Sequence, residues 1–174
     1  MSKLGIPTTG GEKGVTVLKQ GFNVDPILQK QAECVSTMTY NEYWQIVDAG
    51  LNPSELVVYK YEDQGVATLE DGLYVLGKNL KKAAFVRKMA RFLRASIKGW
   101  KYAAENPDAA ADIVLENDDT GAQTEKHQRR MMREINKLVS GQPQGIGYLV
   151  PADYRRTVKV LMSSDSTPVI SKKP

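Results

Sequence analysis

The chain has 174 residues, 41% of them hydrophobic and 25% charged, which fits one domain with enough sequence to bury a core. Its 24 basic and 20 acidic residues leave a formal charge of +4, too mild to argue for a nucleic-acid partner unless the bases gather in one patch. No apolar run approaches the ~18 residues of a membrane span, and a single cysteine excludes an intrachain disulfide and a thiol metal cluster.

The opening MSKLGIPTTGGEKG has no basic segment followed by an apolar core, so it does not read as a signal peptide. MSKLG instead reads as the last turn of a helix stopped at Gly5, with Pro7 just beyond, so the chain is expected to begin at a cut. GIPTTGGEKG lacks the GxxxxGK[ST] spacing and precedes a strand where a phosphate-binding loop would follow one, and is expected to be a turn. VTVL at 15–18 predicts a short strand. In NVDPILQKQAE, Asp25 is placed as a helix N-cap and Pro26 at the first helical position, where its missing N–H costs nothing. Residues 33–38 predict a second strand, YNEYWQIVDAG a second helix ending at Gly50, and LVVYKY at 56–61 a third strand. Strand and helix alternating in units of this length predict parallel βαβ architecture, so the first half is expected to be α/β. YEDQGVATLED is polar, lies between LVVYKY and the strand-like GLYVLG, and is expected to be a crossover between lobes.

Beyond it the pattern becomes helical, over roughly 80–105, 107–116, 121–139 and 151–162, with Asn106-Pro107 and the polar run 117–121 as punctuation. SGQPQGIGYLVP is a loop, and DSTPVISKKP ends without a closing element, so truncation or fraying is expected there too. The densest basic stretch, 81–101, carries Phe85, Met89, Phe92, Leu93, Ile97 and Trp100 at spacings of three and four. Its bases are therefore expected to form the solvated side of an amphipathic helix, not a nucleic-acid site.

Cys34 falls in an apolar strand and is expected to be a buried, inert thiol. His127 stands among charged helix residues without a second histidine or patterned carboxylates, so it is expected at the surface and not as a ligand or general base. Metal sites and Ser-His or Cys-His catalysis are disfavoured on that ground, and no cofactor is expected. In open α/β sheets, ligands sit beyond the carboxyl ends of the strands, here residues 19–25, 38–42 and 61–65. The middle place is the richest. Thr39 can cap the following helix and Glu42 suits its dipole, so a structural role is adequate for both. Tyr40 and Asn41 leave a second reading open: a ring, an amide and a carboxylate form a set able to recognise a flat nitrogen heterocycle.

LQKQAECVSTMTYNEYWQIVDAG, YEDQGVATLEDGLYVL and FVRKMARFLRASIKGWKYAAENPDAAADIVLEND together resemble the periplasmic solute-binding proteins of ABC importers, in the group related to thiamine-pyrimidine-precursor synthases and to sulfonate, nitrate and taurine binders. The resemblance runs over the whole chain. It implies a type 2 periplasmic-binding-protein-like α/β fold, present in part: residues 1–66 as a partial α/β second lobe lacking its first strand, and 67–174 as a crossover strand and C-terminal helices belonging to the first lobe. It implies a non-enzymatic protein in the periplasm that closes two lobes on a small polar or heteroaromatic nutrient, a thiamine-related pyrimidine being one candidate, and passes it to ABC permease subunits. Carried onto this chain, it places Met38, Thr39, Tyr40, Asn41 and Glu42 in the cleft-facing loop and Asp63 and Gln64 near the hinge, Met38 and Thr39 standing where relatives often have two glycines. The alternative is a thiamine-pyrimidine-precursor synthase-like enzyme, disfavoured because that family's cysteine-rich iron motif and active-site histidine have no counterpart in one Cys and one His. A partial fold also implies uncovered apolar faces, and a truncated chain that is loosely packed, an oligomer, or completed by another chain.

Overall fold

The computed structural model describes residues 4–121, 123–163 and 170–173. Its regular elements are helical: α1 (Asp25–Leu28), α2 (Glu42–Asp48), short 3-10 turns at Pro53–Glu55 and Gly77–Lys81, then α3 (Ala83–Glu105), α4 (Pro107–Glu116), α5 (Glu125–Ser140) and α6 (Pro151–Met162). None of the helices among the described residues is long and apolar enough to cross a membrane. The residues fall into two units. The first comprises the described parts of Met1–Ser36, Ala49–Asp71 and Leu149–Pro174; the second comprises Thr37–Asp48 and Gly72–Tyr148.

In the second unit, α3, α4 and α5 meet through small side chains. Ala103, Ala110 and Ala111 are buried with Met132, and Ala111 is 0% exposed. Alanine at these places lets helix backbones approach closely and leaves no volume spare. Polar groups frame that contact. Asn136 Nδ2 donates to the Ala103 carbonyl at 2.9 Å, fastening α5 to α3. Arg129 reaches Asp112 at 2.6 Å and Glu125 at 2.9 Å, tying α5 to α4 and to its own first turn.

α5 starts at Glu125, four residues later than the sequence pattern puts it, and the physical reason is the turn before it. The Asp118 carboxylate accepts from the backbone N–H groups of Thr120 (3.0 Å) and Gln123 (2.9 Å), and Thr124 Oγ1 then caps His127 N. The amides that would have opened a longer helix are committed to Asp118. The Thr120 hydroxyl and these backbone donors hold the Asp118 carboxyl below its ordinary range.

The first unit is held by side chains bonding to backbone. Gln20 Oε1 accepts from Ser36 N at 3.0 Å while Gln20 Nε2 donates to Ser36 O at 2.8 Å, so one carboxamide satisfies both main-chain groups, as a neighbouring strand would. Arg156 Nε donates to the Ala67 carbonyl and the Leu69 N–H donates to Thr157 Oγ1, both at 2.9 Å, which lays residues 67–69 along α6. Among the described residues of this unit, Val24 and Val158 are the buried apolar ones.

Several expectations need correction. No strand forms among the described residues at 15–18, 33–38, 56–61 or 72–77; an isolated antiparallel bridge joins Thr9 and Thr16 across the expected glycine turn, in which Val15 N–H donates to the Pro7 carbonyl at 2.8 Å. Without a sheet to cover them, strand-like residues stay in solvent, Val57 79% and Tyr74 83% exposed. Cys34 is exposed for the same reason, not buried. Val24, not Asp25, takes the N-cap position of α1, with no side-chain cap; Asp25 opens the helix, which runs four residues before Lys30 turns left-handed at φ 55°. The bases of 81–101 are all exposed as expected, but so are Phe92, Leu93 and Trp100, so the apolar side of α3 is only partly covered. The expected helix end in MSKLG lies, apart from Leu4 and Gly5, outside the described residues, as does most of DSTPVISKKP.

Candidate functional site

The polar loop at residues 38–42 belongs to the second unit and runs directly into α2. Its backbone forms a tight entry: the Met38 carbonyl accepts from Asn41 N at 3.2 Å and from Tyr43 N at 3.3 Å. Glu42 then folds back. Its Oε2 accepts from Met38 N at 2.9 Å and its Oε1 from Asn41 Nδ2 at 3.3 Å, and the residue is 8% exposed. A carboxylate in the first helical turn that also satisfies a loop amide is favourable both for the helix dipole and for an otherwise orphaned N–H. The cap expected of Thr39 is not seen among the described residues: Thr39 is exposed, and the Glu42 carboxylate bonds the loop amide of Met38, outside the helix.

Asn41 carries the loop across to α5. Its Oδ1 accepts from His127 Nε2 at 2.8 Å and from Gln45 Nε2 at 3.4 Å. Because a carbonyl oxygen only accepts, this contact assigns the proton of neutral His127 to Nε2. His127, Asn41, Glu42 and Met38 N therefore form one continuous relay of hydrogen bonds from α5 into the loop. His127 is half-buried, a correction to its expected place at the surface. The signal for it was in the sequence: His127, Met131 and Ile135 recur every four residues along the covered side of α5.

The far end of α2 is fixed on the same helix. Asp48 takes Lys126 at 2.8 Å, and Arg130 Nη1 at 3.0 Å from each carboxylate oxygen, while the Arg130 guanidinium lies 4.8 Å from the centre of the Trp44 ring. The hydrogen bond from Lys126, with Arg130 beside it, holds the Asp48 carboxyl below its ordinary value. Tyr43 packs edge-on to Trp44 with ring centres 5.1 Å apart. Trp44 Nε1 and Gln128 Oε1 are buried with no hydrogen-bond partner among the described residues.

Asp63 and Gln64 lie in the first unit, in a turn closed by Gly65 N to the Glu62 carbonyl (3.1 Å) and Val66 N to the Tyr61 carbonyl (3.0 Å). Gly65 adopts φ 67°, a conformation that suits glycine, and both predicted side chains are exposed. The structure thus joins Asn41 and Glu42 in one network with His127, and places Asp63 and Gln64 side by side on a separate turn.

Chemically, the loop network suits recognition. After the bonds above, one Asn41 amide hydrogen and lone pairs of Glu42 remain as hydrogen-bonding capacity, and Tyr43 and Trp44 follow directly on α2. No group of three or more His, Cys, Asp or Glu able to hold a metal ion occurs among the described residues.

No curated protein and no solved structure matches the chain. A family model described as NMT1/THI5 like matches residues 6–110, which include the loop, α2, the turn with Asp63 and Gln64, and all of α3. The chain belongs to the NMT1/THI5-like family, which has the periplasmic-binding-protein-like fold and includes ABC-type solute-binding proteins and thiamine precursor synthases.

Proposed function

We propose that this chain is the solute-recognising part of an ABC importer's binding protein, non-enzymatic and working in the periplasm. Its ligand is a small polar or heteroaromatic nutrient, with a thiamine-related pyrimidine as the first candidate. The observation that carries this reading is the coincidence of family membership over residues 6–110 with a polar, aromatic-flanked loop inside that span. Met38, Thr39, Tyr40, Asn41 and Glu42 are the proposed recognition residues, Asn41 and Glu42 supplying the amide and carboxylate that a ring nitrogen and an exocyclic amine require. Asp63 and Gln64 are proposed near the hinge of a closing motion of the kind that binding proteins use. The partners are the ligand and the permease subunits that receive it.

Calorimetric titration of the protein against pyrimidines, sulfonates and nitrate tests this. Because Glu42 also holds the loop, the informative variants are Asn41→Ser and Glu42→Gln, each checked for retained helicity. Saturable binding of a pyrimidine, weakened by both variants, supports the proposal. Absence of binding to every compound removes it, and iron-dependent turnover of a bound compound would favour the synthase-like reading instead.

A further inference from the structure

The first unit has a groove that the loop at 38–42 does not use. One wall is the turn residues Gly65 and Val66; the other is the side of α6 bearing Arg155, Arg156, Lys159 and Val160, enclosing about 580 Å³. That volume is in the range of small-molecule sites. The charges along it are unbalanced. Arg156 is already committed, to Asp153 at 2.8 Å and to the Ala67 carbonyl at 2.9 Å. Arg155 and Lys159 stand one helical turn apart with no ion pair or hydrogen bond among the described residues, so their like charges repel with nothing between them. Val66 and Val160 give the groove an apolar floor. Across the Arg155 and Lys159 ridge a second hollow of about 460 Å³ repeats the combination, with Tyr154, Val158 and Met162 as apolar lining and Lys173 as a further cation.

We propose that this groove binds an organic anion with an apolar body and an oxyanion head, the head seated between Arg155 and Lys159 and the body against Val66 and Val160. The residues lining the groove include three guanidinium or ammonium groups and no carboxylate, and of the three Arg156 is paired with Asp153, so the lining carries a positive surplus. An oxyanion between two cations removes their repulsion and accepts from both. An apolar body adds affinity that a bare inorganic ion lacks. The inference is independent of the ligand proposed for the loop at 38–42.

The test is a ¹⁵N NMR titration of the chain with benzenesulfonate, benzyl alcohol, inorganic sulfate, and phosphatidylcholine vesicles with and without phosphatidylglycerol. The variants are Arg155→Gln/Lys159→Gln, the conservative swap Arg155→Lys/Lys159→Arg, and Arg91→Gln/Lys98→Gln on α3 as a control. Benzenesulfonate is expected to shift the amides of Gly65, Val66 and residues 159–163 saturably, with about tenfold weaker binding in the neutralised variant and little change in the other two. Anionic vesicles that broaden the same signals, with loss in the neutralised variant, also support the proposal and assign the anion to a lipid head group. Equal response to benzyl alcohol, equal affinity for inorganic sulfate, or indifference to the neutralised variant overturns it.

Discussion

Glu42 offers the sharpest test of how the recognition loop is held. Its carboxylate accepts from Met38 N at 2.9 Å and from Asn41 Nδ2 at 3.3 Å, from a position only 8% exposed. Glu42→Ala removes both acceptors. A hydrogen bond to a charged group contributes about 1.5–3 kcal/mol when its loss strands a buried donor. Met38 itself is 38% exposed, so water replaces part of the lost bond and the expected cost is about 1–2 kcal/mol. Glu42→Gln keeps one side-chain acceptor and should cost less than about 1 kcal/mol. Amide hydrogen exchange at Met38 reports this locally: the alanine variant should exchange about 5–30 times faster, the glutamine variant only a few times faster. Unchanged exchange at Met38 in the alanine variant would show that the loop is held without this carboxylate, and the relay through Asn41 to His127 would lose its structural role.

Four further outcomes follow from the second unit. The Asp48 and Arg130 side chains are 26% and 25% exposed, so a double-mutant cycle with Asp48→Asn and Arg130→Gln should give a coupling of roughly 0.5–1 kcal/mol that shrinks in molar salt. Since the folded Asp48 carboxyl titrates below its ordinary value near 3.8, its contribution is complete above that value and lost as pH falls through the lower, folded one; acid denaturation of Asp48→Asn should lack this component. Asp118 obeys the same sign, because its carboxyl is also held low by its donors, and Asp118→Ala should speed exchange at the Thr120 and Gln123 amides at neutral pH while leaving α3 unaffected. Ala111→Leu, at a site with 0% exposure, should destabilise the α3, α4 and α5 packing by about 1–3 kcal/mol in urea denaturation, whereas Ala104→Leu on the exposed side of α3 should be nearly neutral.

The helical half was legible to within a few residues. α4 and α6 begin at Pro107 and Pro151 and end at Glu116 and Met162, where the proline and polar punctuation in the sequence places them. Local signals were enough because a helix satisfies its own amides within four residues. α5 differs at its start only because Asp118 competes for the same amides from five residues away, a bond no periodicity records. The loop at 38–42 was legible as a polar cluster, and Glu42 as a residue suited to a helix start. Its bond to Met38 N and the meeting of Asn41 with His127, 86 residues on, were not, because those depend on how α2 docks on α5.

Strands fail for the complementary reason. A strand's amides have no partner within their own segment, so an apolar, β-branched pattern such as LVVYKY states a propensity that only a neighbour can realise. Where a neighbour is lacking, two results are physically available: the backbone is satisfied by side chains, or it is left to water. Both occur in the first unit. Gln20 takes the two main-chain groups of Ser36 at 2.8 and 3.0 Å and so does for one residue what a ladder does for five or six. Residues 57–59 have no such substitute among the described residues, and Val57, Val58 and Tyr59 stand 79%, 53% and 72% exposed. An unpaired run of that composition is a template for another strand. A charge placed at its centre, as in Val58→Lys, should therefore lower self-association in light scattering without changing helicity, since α3 to α6 draw their hydrogen bonds from elsewhere.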